Sequence, residues 1–126
     1  MNTITEPSAA EIADDLDRAA DVLDANGLHK GSLYDGAQRD RGTPADKCRV
    51  CVYGALNIAI TGQPRWTGKD EDTARSAAAG NAIAAHLGLT PNEVAEEWSD
   101  DPKRRKAQVV KALRDTAAGL RKAVAA

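Results

Sequence analysis

One stretch in the middle of the chain leaves little choice of fold. Cys51, Val52, Ala55, Leu56, Ala59 and Ile60 form a continuous apolar stripe at helical spacing, closed by Gly62. It is the most hydrophobic segment, so it predicts a central helix with Val52, Leu56, Ala59 and Ile60 in the middle of the core. Thr43-Pro44 reads as the N-cap and first position of that helix. Gln63-Pro64-Arg65-Trp66 beyond it reads as a loop, because Pro64 cannot continue a helix.

The flanking segments also carry helical periods. Ser8 and Glu11 make a capping-box pattern, Ile12, Leu16, Ala19, Ala20 and Leu23 recur on one face, and Asn26-Gly27 is a stop. A third helix spans about Glu71 to Leu87, with Gly80 allowing close helix contact. Thr90, Pro91 and Glu93 cap a short helix carrying Val94 and Trp98. A last helix starts near Asp101-Pro102 and places Val109, Leu113, Ala117, Leu120 and Val124 on one face. Leu28 to Gly42, punctuated by Gly31, Gly36 and Gly42, reads as a long irregular connection pinned by Leu33 and Tyr34. No segment alternates with the strand period. The expectation is an all-α, compact single-domain bundle of about five helices over residues 1–126, with residues 1–7 flexible and a long Gly-rich loop after the first helix.

Composition matters for how such helices pack. Alanine supplies much of the apolar content, Phe is absent, and there are two Trp and two Tyr. Small side chains fill little space, so the helices must approach closely. The formal net charge of −2 argues against a general nucleic-acid binder. Charge is unevenly spread: Glu11 to Asp24 holds six acids and only Arg18 as a base, whereas Lys103 onward holds eight bases and only Asp115 as an acid. This polarity fits terminal helices that attract one another, the favoured reading, or two faces presented to different partners. No apolar run is long enough to span a membrane and no leader pattern opens the chain, which with two cysteines points to the cytoplasm.

Several residue groups could carry chemistry. Cys48, Cys51, His29 and His86 are all the thiols and imidazoles of the chain and would make a tetrahedral zinc set, the cysteines sharing a face at i and i+3 of a helix. No other cofactor is expected. The His residues lie on opposite sides of the Cys pair, unlike a zinc-finger spacing. Cys51 near a helix start, with His29 or His86 as base and Asp35 or Asp100 as orienter, has the residue types of nucleophilic catalysis; Cys51, His29 and Asp100 are the candidate set. The alternative for Cys51 is a small packed core residue. Ile83 to Trp98 has the turn and packing positions of a helix-turn-helix, but Glu93, Glu96 and Glu97 would face phosphate. Lys103, Arg104, Arg105 and Lys106 form a basic cluster that could grip an acidic partner or nucleic acid, with Trp98 and Tyr34 as further candidate partner contacts. Glu96, Glu97, Asp100 and Asp101 stand just before it.

Three segments occur in the order of a known family: Gly27-Leu28-His29-Lys30-Gly31, Cys51-Val52-Tyr53-Gly54-Ala55-Leu56, and Trp98-Ser99-Asp100-Asp101-Pro102 followed by the helix of Val110 and Leu113. With them the chain resembles a family of small actinobacterial and actinophage proteins defined as a domain of unknown function. The family commonly has an aromatic near Leu28 and Asn at Ser99, and this chain departs at both. The resemblance implies an actinobacterial or phage source and a grouping of the three segments around one site. It moves attention from Cys48 to Cys51 and supplies no activity. By elimination, the expected function is a regulatory or host-interaction protein acting through protein contacts, homodimerisation included. A Cys51-dependent hydrolase or transferase and a nucleic-acid binder using Lys103 to Lys106 are the alternatives.

Overall fold

The computed structural model describes residues 6–125; of the start expected to be flexible, residues 1–7, the first five lie outside them. Among the described residues there are six α-helices and no strand: α1 (Ala9–Asn26), α2 (Gly36–Asp40), α3 (Val52–Thr61), α4 (Asp70–Leu87), α5 (Pro91–Glu93) and α6 (Lys106–Ala125). A 3-10 turn at Ala45–Lys47 precedes α3, and a π-helical turn, Val94–Trp98, continues α5.

The caps stand where their residues predict. Ser8 and Glu11 exchange side-chain and backbone hydrogen bonds at the start of α1, and Thr90 and Glu93 do the same at α5. Gly62 and Gly88, both at positive φ, end α3 and α4. The core is one cluster in which Leu16 and Leu23 of α1, Leu56 of α3, Ile83 of α4 and Leu113 of α6 are fully buried. Alanines fill the remaining space on α1 (Ala13, Ala19, Ala20) and α6 (Ala112, Ala117), so these two helices lie close together.

Charge then fringes the α1–α6 seam. Arg114 reaches Asp17 and Asp21, Arg121 reaches Asp14 and Asp17, and Lys106 lies 3.6 Å from Asp24. Part of the unequal charge of the chain ends is thus matched within the molecule. On the other side of α1, buried Asp15 receives a fork from Arg75 of α4 at 2.6 and 3.1 Å, and Arg18 joins it.

Four expectations need correction. Of the residues expected mid-core, Val52 and Leu56 are fully buried but Ala59 and Ile60 only partly, because the helix turns these two towards the rim. The central helix begins at Val52, not near Thr43-Pro44. Residues 48–51 are extended, because their backbone bonds outward: the His29 amide donates to the Val50 carbonyl, the Val50 amide to the Gly27 carbonyl, the Asp35 amide to the Arg49 carbonyl and the Cys51 amide to the Leu33 carbonyl. Val50 thereby bridges Leu28 and Tyr34. The loop after α1 is correspondingly less irregular than expected, holding α2, which Asp35 caps. Finally, α6 begins at Lys106, since residues 101–105 form a turn in which the Arg104 amide bonds the Asp101 carbonyl.

Candidate functional site

The start of α3 organises a part of the molecule where several sequence-distant polar and aromatic groups face one open space. Cys51 is the N-cap: its Sγ accepts the Gly54 amide at 3.5 Å. Gly54 itself is where the loop after α1 crosses α3. A Cβ there would lie 2.0 Å from the Leu33 carbonyl oxygen, so no larger residue fits without moving backbone. The Cys-x-x-Gly spacing is therefore a thiol cap plus a close approach. Tyr53 extends from the same turn and lies over α4 at Gly80, where a Cβ would meet its ring at 2.5–3.0 Å. Gly80 makes room for this tyrosine rather than for another helix backbone.

These residues border a cleft of about 450 Å³. Thr73, Ala77 and Asn81, spaced at i, i+4 and i+8, form one wall from α4. Pro91, Asn92, Ala95 and Glu96 of α5 and its π turn form the opposite wall. Gly31, Ser32 and Leu33 close one end with Asp100, while Cys51 and Tyr53 lie beside Trp66. The Trp66 ring, 48% exposed, sits 6.2 Å from that of Tyr53, tilted by 42°. Its loop is anchored from beneath: buried Asn57 donates to the Pro64 carbonyl and accepts from Ser76 Oγ at 2.8 Å.

A second set of bonds ties the loop after α1 to the turn before α6. The Gly31 amide donates to Asp100 Oδ1 at 3.1 Å, and Lys30 Nζ donates to the carbonyls of Asp101 (2.6 Å) and Arg104 (2.8 Å).

The cysteines are electrostatically quiet. Burial pushes the Cys51 thiol above its ordinary value; the amides of Gly54 and Tyr53 pull the other way, and Asp100 pushes further up. Cys51 and Asp100 thus share the cleft, but the carboxylate opposes a thiolate rather than supporting one. His29, the expected base, does not line the cleft; its Nε2 lies 2.9 Å from Ser32 Oγ, whose hydroxyl also reaches the Tyr34 carbonyl at 3.0 Å. Asp35, the other orienter considered, caps α2 and is held by Arg49, which keeps its carboxyl below the usual range.

The proposed zinc set is not assembled. Cys48 is buried with its thiol directed at the Thr43 and Pro44 carbonyls, Cys51 caps α3, His29 meets Ser32, and His86 is exposed in the last turn of α4 beside Asp115 and Arg121 of α6. Because residues 48–51 are extended, the cysteines do not share a helix face. Among the described residues no three His, Cys, Asp or Glu side chains are grouped to hold a metal ion.

The basic cluster is also divided. Arg104 stacks over Trp98, 4.5 Å from the ring centroid, and donates to the Trp98 carbonyl; Lys106 turns back to Asp24. Lys103 and Arg105 remain exposed. Tyr34 is half-buried, its hydroxyl accepting from Arg65 at 2.9 Å. Neither Trp98 nor Tyr34 lines the cleft. The Gly88 turn between α4 and α5 leaves Glu96 on the cleft wall, not on a basic recognition surface.

A family model described as a family of unknown function (DUF6197) matches residues 7–119. The chain belongs to that family. No curated protein and no solved structure matches it. Each of the three segments on which the resemblance rests contributes to the cleft: Gly31 from the first, Cys51 and Tyr53 from the second, Asp100 from the third. Ser99 is fully buried away from the cleft, and its hydroxyl has no hydrogen-bond partner among the described residues. No helix of the described chain is long and apolar enough to cross a membrane.

Cys51 and Asp100 stand out in the sequence by residue type, whereas Tyr53, Trp66, Asn81 and Glu96 join the cleft without such a mark. The available signal was weak: two aromatics kept in a chain without Phe, and Thr73, Ala77 and Asn81 repeating on one α4 face.

Proposed function

We propose that the protein is a non-catalytic binding domain whose cleft between α3, α4 and the α5 turn takes a small organic ligand. One observation carries this reading: segments far apart in sequence converge to leave an exposed Trp66 and a half-buried Tyr53 beside a largely apolar hollow of ligand size. A binding role needs no activated group, which agrees with a Cys51 thiol kept protonated by burial and by Asp100. The regulatory role expected in an actinobacterium or its phage is the setting proposed for such a domain, with occupancy of the cleft as the signal passed on.

A thermal-shift screen of a metabolite and fragment library tests it. Ala77 is exposed on the cleft wall, so Ala77→Trp should fill the hollow and leave the fold intact. Ligands should raise the melting temperature of the native protein and not of this variant. Hits that survive the substitution, or a library without hits, would count against the cleft as the binding site.

A further inference from the structure

We infer that the ligand is a small organic cation, an amine or quaternary ammonium group carried on an apolar body. This rests on the binding reading above and names its ligand class. The charged side chains that line the cleft are Glu96 and Asp100, both acidic; no Lys, Arg or His lines it. Elsewhere the acids facing a neighbouring helix are matched, as Asp14, Asp17 and Asp21 are by Arg114 and Arg121. Among the described residues, neither Glu96 nor Asp100 has an ion-pair partner. Asp100 spends Oδ1 on the Gly31 amide and leaves Oδ2 without a hydrogen bond. Glu96, exposed at the rim, and Asp100, half-buried, give the hollow a net negative lining, so an anion is repelled and a cation drawn in, most strongly at low salt.

The aromatic groups point the same way. Tyr53 and Trp66 are tilted against each other beside the cleft, and much of the indole is uncovered. Ring faces attract cations through their quadrupole, Trp most strongly. A metal ion is the poorer occupant. No group of three or more His, Cys, Asp or Glu side chains placed to hold a metal ion exists among the described residues. Leu33, Ala77, Pro91 and Ala95 supply the surface for an apolar body, and about 450 Å³ accommodates one of several carbons with a ring.

Calorimetric titration of the full chain at low salt, with an isosteric series of phenylbutylammonium, its trimethylammonium analogue, phenylbutanol and phenylbutanoate, tests the inference. The two cations should bind about tenfold tighter than the alcohol, and the carboxylate weakest. Glu96→Gln and Asp100→Asn, which keep shape and, at Asp100, the acceptor for Gly31, should each weaken the cations roughly threefold or more and leave the alcohol unchanged. An alcohol or carboxylate that binds as well as the amine would overturn the cation assignment and leave the cleft a binding site. If no member binds while library hits sensitive to Ala77→Trp exist, the assignment fails alone; if those hits are also absent, both readings fail. A lysine-bearing peptide that binds more tightly than the free amines would overturn the small-molecule assignment in favour of a chain-borne amine.

Discussion

The α1–α6 seam and the cleft use similar residue types and treat their charges in opposite ways. At the seam, small apolar side chains are fully covered and the flanking aspartates meet arginines of the facing helix. At the cleft, aromatic rings stay partly uncovered and two carboxylates meet no base among the described residues. The seam satisfies its groups within the chain, as a structural contact should. The cleft leaves its groups available, and groups left available are what a ligand can use.

Breaking each region should therefore cost different things. The largest loss should come from Gly54→Ala, which drives a Cβ into the Leu33 carbonyl where α3 meets the cleft loop. We expect destabilisation of about 3 kcal/mol or more, read by urea denaturation, with the cleft lost as well. Asp15→Asn, on the closed side of α1, strands the Arg75 fork at a buried site. It should cost about 2–3 kcal/mol while ligand binding in the folded fraction is retained. Arg114→Gln removes exposed pairs to Asp17 and Asp21; its smaller loss should fade as salt is raised, because such pairs are screened.

A fourth outcome concerns the thiols. Burial raises both cysteines, so the folded state holds their protons more tightly than the unfolded chain does. Their contribution to stability is complete below the unfolded thiol value of about 8.5 and declines as pH rises from there towards the raised folded values. Alkylation of Cys51 at neutral pH should be slower than that of an unstructured cysteine. Fast alkylation would erase the contrast by making the cleft a reactive site. The smallest effect should be that of Ser99→Ala. It removes a buried hydroxyl without a partner and should leave stability unchanged or improve it by about 1 kcal/mol or less.

Much of the seam was legible in the sequence, because its determinants are local. The Ser8–Glu11 box, the period from Ile12 to Leu23 and the opposed charges of the two ends each predict one helix or one pairing. The approach to α3 was not legible. Thr43-Pro44 resembles a helix start, but the backbone of residues 48–51 bonds to Gly27, His29, Leu33 and Asp35, partners no local pattern reveals. The cleft was visible only in part. Cys51 and Asp100 stood out by residue type, whereas Tyr53, Trp66 and Glu96 gain meaning from Gly54 and Gly80, whose missing side chains let the loop and the tyrosine settle where they do.

The most direct test of this division is amide and indole chemical-shift mapping on the isotope-labelled protein as library hits are added. Shifts should concentrate on Gly31, Ser32, Tyr53, Ala95, Glu96 and the Trp66 indole, with the α1–α6 seam silent. Shifts centred instead on Lys103 to Lys106 or on α6, with the cleft unmoved, would contradict it.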